Sequence, residues 1–265
     1  MTVSLVPVSN VGAGLPAGAR SFDLKVTTDA GTKWASGDLQ FSLASSGAFA
    51  GTSFFNLASG DSNIVNTAAA GAAGLDTGIT VPAGGNGAAI LGKAQYPVES
   101  GIGSAVFPST AAPGTAVDIA WGDTGAASFT NGTSTIARLS ILGNGGADLK
   151  GRVGATNNSI APVTFNLYLP IKGDVNGDRI VDLGDFNTWL ANGGQGTLGG
   201  APLLSQGDIN QDGIIDLGDF NDWLANGGNQ LPVSGASLGS VVPEPASLSL
   251  AAIAGLSLAA RRRRA

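Results

Sequence analysis

The chain has 265 residues, no cysteine, no histidine, and a formal net charge of −6 from 13 Lys+Arg against 19 Asp+Glu. These absences remove disulfides, thiol nucleophiles, zinc sites of the usual nitrogen–sulfur kind and every histidine-based triad. The acidic balance, with its basic cluster confined to the arginines at 261–264, argues against nucleic-acid binding, and no glycine run has the Walker or dinucleotide spacing.

Residues 1–170 are rich in Gly, Ala, Ser and Thr and poor in charge. The first residues read as a strand. Phe22, Leu24 and Val26 then face one way while Asp23, Lys25 and Thr27 face the other. The same period of two recurs in Leu39, Phe41 and Leu43, in Val117, Ile119 and Trp121, in Ala137, Leu139 and Ile141, and in Val163, Phe165, Leu167 and Leu169. Gly- and Pro-rich stretches separate these runs, so an antiparallel β-sandwich is expected. The stretch 44–115 is open between further strands and wide surface loops. Trp34, Tyr96, Trp121 and Tyr168 offer two readings, a platform for stacking sugars or ordinary core. The place of Trp121 in an alternation favours the core. A glycosidase needs two facing carboxylates. Glu99 is the sole glutamate before the tail, beside Asp38, Asp76, Asp118 and Asp123, and Asp118 sits at an outward strand position. A non-enzymatic protein is therefore expected.

A twelve-residue run follows, and it occurs twice. The first copy starts at Asp174 and the second at Asp208. Oxygen side chains fall at positions 1, 3, 5, 9 and 12 of each copy: Asp174, Asn176, Asp178, Asp182 and Asp185, then Asp208, Asn210, Asp212, Asp216 and Asp219. That spacing coils hard oxygen ligands around one Ca²⁺, with the position 7 carbonyl of Ile180 or Ile214 completing the shell. After each loop, Phe186, Trp189 and Leu190, or Phe220, Trp223 and Leu224, form an apolar stripe at helical spacing, stopped by paired glycines. Neither stripe is buried by its own half, so the two halves are expected to pack together. Residues 173–228 carry nine Asp against one Arg. Metal binding and folding are therefore expected to be coupled.

The pattern from Gly173 to Gly228 resembles a type I dockerin, a calcium-dependent module that plugs into cohesin domains. The resemblance implies two Ca²⁺ sites on the twelve residues just named and a cohesin-like partner. Two departures stand out. Arg179 occupies position 6 of the first loop, where the sharp turn normally takes glycine as it does at Gly213, and a left-handed non-glycine residue costs about 1–2 kcal/mol. The first site is therefore expected to bind more weakly. Leu183-Gly184 and Leu217-Gly218 stand where many cellulosomal dockerins carry small hydroxylated residues. The N-terminal sandwich loosely resembles cohesin-like and carbohydrate-binding domains.

The chain closes with Pro243-Glu244-Pro245, an apolar or serine run over 246–260, and four arginines. As a helix that run spans about 22 Å, short against a hydrocarbon core of about 30 Å. The arginines hold the end in the cytoplasm and place the bulk outside. The arrangement resembles the PEP-CTERM sorting signal of Gram-negative bacteria, which implies processing by exosortase. An exported chain also needs an N-terminal signal. Residues 1–8 do not read as one, so the signal is expected upstream of Met1.

The sequence thus predicts a β-sandwich over 1–170, a dockerin-like calcium module over 171–229, a linker over 230–241, and a sorting signal with a transmembrane helix over 242–265. The expected role is docking of a cohesin-like partner in an extracellular assembly. Two alternatives stand beside it: an accessory protein that binds polysaccharide for degrading enzymes, and a structural surface protein in which calcium stiffens a spacer.

Overall fold

Alternating side chains build the sheets where the sequence places them. In a computed structural model, which describes residues 1–10, 15–16, 18–56, 77–80, 88–92, 94, 114–123, 132–156, 160–193 and 204–232, two five-stranded sheets face each other. The strands are β1 (Thr2–Val8), β2 (Arg20–Thr28), β3 (Trp34–Ser42), β4 (Ser53–Phe54), β5 (Gly78–Ile79), β6 (Ala88–Gly92), β7 (Ala116–Asp123), β8 (Gly132–Leu142), β9 (Ala147–Ala155) and β10 (Val163–Leu169). One sheet runs β1-β2-β8-β4, with β5 also paired to β8; the other runs β10-β9-β3-β7-β6. All the pairings are antiparallel.

The core lies between the sheets. Phe22, Leu24 and Val26 of β2 and Ile136, Leu139 and Ile141 of β8 meet Leu39, Phe41, Val117, Ile119, Leu149 and Val153 of the opposite sheet. Trp34 and Trp121 are buried in this core with ring centroids 6.4 Å apart. The sugar platform is therefore not formed by these two rings. Their indoles are consumed by packing, since burial of so large an apolar area outweighs display on a wet face. Tyr96 lies outside the described residues.

Strand β9 was not among the predicted runs. Its inward positions are Ala147, Leu149, Gly151 and Val153, too small in part to signal a strand. Gly151 is small for a reason: a Cβ there would lie 2.3 Å from Phe165 Cζ and 2.2 Å from the Asp38 carbonyl oxygen. The ring of Phe165 on β10 fills the space that Gly151 leaves.

Two short helices complete the described fold, α1 (Leu183–Asn192) and α2 (Leu217–Asn226), with a 3-10 turn at Leu204–Gln206 before the second loop. Met1–Leu231 make one compact unit that holds both the sandwich and the loop–helix pair. Among the described residues no helix is long and apolar enough to cross a membrane. The expected transmembrane helix and Pro243, Glu244 and Pro245 lie outside the described residues, as does most of the 230–241 linker.

Candidate metal centre

Each loop is wound by its own side-chain oxygens. In the first, Asp174 Oδ1 accepts from Gly177 N at 2.7 Å and Oδ2 from Arg179 N at 2.9 Å. Asn176 Oδ1 accepts from Asp178 N, and Asp178 Oδ1 from Ile180 N, both at 2.9 Å. Asp185 reaches back across the loop, with Oδ1 accepting from Val175 N at 2.8 Å and Asn176 N at 3.2 Å. The second loop repeats the scheme with Gly213 N on Asp208 Oδ2 (3.2 Å), Asp212 N on Asn210 Oδ1 (2.8 Å), Ile214 N on Asp212 Oδ1 (2.9 Å), and Ile209 N on Asp219 Oδ1 (2.7 Å).

The same acidic residues start the helices. Asp182 and Asp216 are N-caps that accept from Gly184 N and Gly218 N at 2.6 Å, while Asp185 and Asp219 close capping boxes by accepting from Asp182 N and Asp216 N. Helix start and loop closure are thus one set of contacts.

The helices then pack as a pair related by a pseudo-twofold. Phe186 lies 5.0 Å from Trp223 and Trp189 lies 5.2 Å from Phe220, ring centre to ring centre. Trp189 Nε1 donates to the Asp216 carbonyl at 3.0 Å. Leu190 and Leu224, expected in the packed stripes, are instead 57% and 60% exposed, with Leu183 and Leu217 at 67% and 69%. The aromatic rings fill the narrow contact between two ten-residue helices, and the leucines fall outside it. After α2 the chain returns along the first loop: Gly228 N donates to the Val181 carbonyl at 2.8 Å and Val181 N to the Asn229 carbonyl at 2.9 Å.

Electrostatics mark four carboxylates. Asp174, Asp185, Asp208 and Asp219 have no solvent exposure. Burial raises the pKa of each above the ordinary carboxylate range. Asp208 goes furthest, to about 7, from burial first and then from the charge of Asp219. Asp174 is eased by the phenol of Tyr168, which donates to Oδ2 at 2.7 Å, and by the Arg179 and Gly177 amides. Asp208 Oδ1 is buried with no hydrogen-bond partner.

An oxygen so placed fits a cation, because a buried anionic acceptor without donors is costly. The donor set is hard oxygen throughout, which suits Ca²⁺ over softer metals. Among the described residues no three acidic side chains lie close enough to make a cage of carboxylates alone. A shell here would need the Asn176 or Asn210 amide oxygen and the Ile180 or Ile214 carbonyl.

Arg179 adopts the left-handed conformation expected at its position, with φ 80°, but Gln211 at position 4 of the second loop does so too, with φ 58°. Each loop carries one such residue, so backbone strain does not rank the loops. The sequence pattern does not single out Asp148 or Gln211, and it offers Tyr168 as a sugar-platform or core ring rather than as a donor to Asp174. The available signal was the offset of the glycines, Gly177 against Gln211 and Arg179 against Gly213.

A β-sandwich carrying a tandem loop–helix pair is the class of protein defined by this fold. Residues 241–264 match the PEP-CTERM protein-sorting motif. No curated protein and no solved structure matches the chain. The motif marks an exported protein of the Gram-negative-type cell surface, processed by exosortase.

Proposed function

We propose that the chain is a non-enzymatic surface protein whose two loops, Asp174 to Asp185 and Asp208 to Asp219, each bind one Ca²⁺, and whose paired helices then dock a cohesin-like partner. The observation that carries the calcium reading is Asp208 Oδ1, buried and without a hydrogen-bond partner, in a pair of loops whose Asp174, Asp185 and Asp219 are likewise fully buried. Bound calcium would neutralise these carboxylates and hold the loops closed. Extracellular modules of this kind need only weak sites, of about 10⁻⁴–10⁻³ M, because free calcium there is high.

The docking reading is supported by the outward leucines. Leu183 and Leu190 are seven residues apart on α1, as are Leu217 and Leu224 on α2, so each helix shows an apolar pair on one face. Exposed apolar pairs of this kind suit a partner surface.

Isothermal titration of the full chain with calcium tests the first part. Two sites are expected, and absence of binding at millimolar calcium would sink it. For the second part, the full chain is used to capture partners from the organism's envelope and secreted fractions, with calcium and with chelator. Capture that requires calcium and is lost in L183A/L217A supports docking. Calcium-independent capture, or capture untouched by the leucine changes, removes it.

A further inference from the structure

The two loops are not equivalent where they meet the sandwich. Gly177 in the first corresponds to Gln211 in the second, and Arg179 in the first to Gly213 in the second. Arg179 and Gln211 are the two non-glycine residues with positive φ among the described residues. A residue with a Cβ is disfavoured in that conformation, and it persists where the surroundings hold it.

In both cases the side chain holds the sandwich. The Arg179 guanidinium pairs with Asp148 of β9 and lies 4.5 Å over the ring of Tyr168 on β10. Tyr168 in turn donates to Asp174, at the head of the same loop. The first loop is therefore fixed to the sheet containing β9 and β10. Gln211 is fully enclosed; its Oε1 accepts from Ser21 N of β2 at 2.7 Å, and its carbonyl accepts from Asn10 N, just past β1, at 2.9 Å. The second loop is therefore fixed to the other sheet. Val175 and Ile209, at position 2 of the two loops, join the core cluster between the sheets.

We infer that the tandem loops are a calcium-operated clasp across the edge of the sandwich, one loop gripping each sheet, with Tyr168, Arg179 and Gln211 as positioning residues. The inference rests on the calcium reading above. The aromatic packing of α1 on α2 joins the two grips. Whatever orders both loops then ties β9 and β10 to β1 and β2. Calcium thus stabilises the strands as well as the loops, and the sandwich becomes firm where calcium is plentiful, outside the cell.

Hydrogen–deuterium exchange on the full chain tests this, with calcium titration run in parallel. In millimolar calcium, exchange in β2, β9 and β10 is expected to slow by about tenfold or more relative to chelator, as linkage requires when calcium exceeds its Kd tenfold. In R179G, calcium is still expected to bind at two sites, but the gain in β9 and β10 shrinks while that in β2 is kept. Q211G is expected to do the reverse. The two glycine variants relieve the backbone and so are expected to fold. If the titration shows two sites and the strands exchange at the same rate with and without calcium, the clasp is overturned and the calcium reading stands. If the titration shows no binding, the calcium reading falls and the clasp falls with it.

Discussion

Trp223 Nε1 donates to the carbonyl oxygen of Asp182 at 2.9 Å, reaching from the second helix to the ninth position of the first loop. Trp189 makes the mirror contact to Asp216. Each loop is therefore closed partly by the other half's indole, and neither half has its full set of contacts alone. This explains why a run of twelve residues is repeated and not used singly.

The first prediction follows from that exchange. Trp223→Phe keeps a ring in the cluster and removes the donor. It is expected to destabilise the calcium-bound chain by about 0.5–1.5 kcal/mol. It is also expected to weaken the coupling between the two sites, so that a titration moves from cooperative towards independent steps. Wild-type cooperativity in W223F would show that the rings alone transmit it.

Asp174 and Asp208 hold the same loop position and are predicted to respond differently to loss of charge. Asp174 accepts from Tyr168, Gly177 and Arg179, so its carboxylate is already met by the protein. Asp208 has one oxygen with no partner. In chelator, Asp208→Asn is expected to leave stability unchanged or raised, because a buried unmet charge is gone. Asp174→Asn is expected to lower it by about 1–3 kcal/mol, as donors lose their acceptor. In calcium each variant should lose one site. The second site is expected to be the tighter, since the ion relieves more there. Denaturant unfolding with and without calcium, alongside titration, checks all of this; equal losses in chelator would refute the contrast.

The pH dependence is predicted to differ with and without calcium. The Asp208 pKa is raised from 3.8 to about 7 by burial and by Asp219, and those of Asp174, Asp185 and Asp219 are raised as well. The metal-free fold thus holds more protons than the unfolded chain. The stability that Asp208 contributes is present below pH 3.8 and is lost as pH rises through about 7, and the other three carboxylates act in the same direction. In chelator the chain should be more stable at pH 5 than at pH 8. Calcium needs the same carboxylates ionised and displaces their protons, so the stability it adds should grow over that interval. Unfolding curves at the two pH values, with and without calcium, decide the matter. A chelated chain that gains stability towards pH 8 would contradict the argument.

Gly151 is predicted to be intolerant of a side chain. Its missing Cβ makes room for the Phe165 ring on one side and the Asp38 carbonyl on the other. Gly151→Ala is expected to cost about 1–3 kcal/mol by overpacking. The adjacent variant K150A, on the outward side of β9, should cost far less. A thermal or denaturant midpoint for G151A equal to wild type would mean that β9 shifts without resistance.

Strands with large inward residues were legible because the period of two is unmistakable in Phe22-Leu24-Val26 or Val163-Phe165-Leu167-Leu169. Strand β9 was not, because its inward glycine answers to Phe165 on a neighbouring strand, and that reciprocity is invisible in a local window. The loops were legible as a spacing of oxygens, and the packing of Phe186 and Trp189 on their counterparts followed from the need to bury two stripes. The exposure of Leu190 and Leu224 did not follow, since helical phase does not say how narrow the contact is. The grips of Arg179 and Gln211 were hidden for the same reason. Arg179 read as a flaw in a turn until Asp148 and Tyr168, distant in one case by 31 residues, were placed beside it.

The sorting motif gives the last prediction. Pro243, Glu244 and Pro245 fall within the matched residues 241–264. Proline at both flanks fixes φ and removes two backbone donors, a covalent feature that the apolar run after it does not share. The glutamate is the sole acidic residue between Asp222 and the C-terminus, ahead of an apolar run and four arginines. Replacing Pro243, Glu244 and Pro245 together by alanine is expected to block exosortase processing and leave the arginine tail on the chain. Intact-mass measurement of the membrane and secreted fractions reads this directly. The wild type should lack the tail and the variant should keep it. Because these residues lie beyond the two acidic loops, a calcium titration of the variant should match that of the wild type. A variant still cleaved at the wild-type position would mean that the apolar run and arginines suffice, and that the triplet is not what the protease recognises.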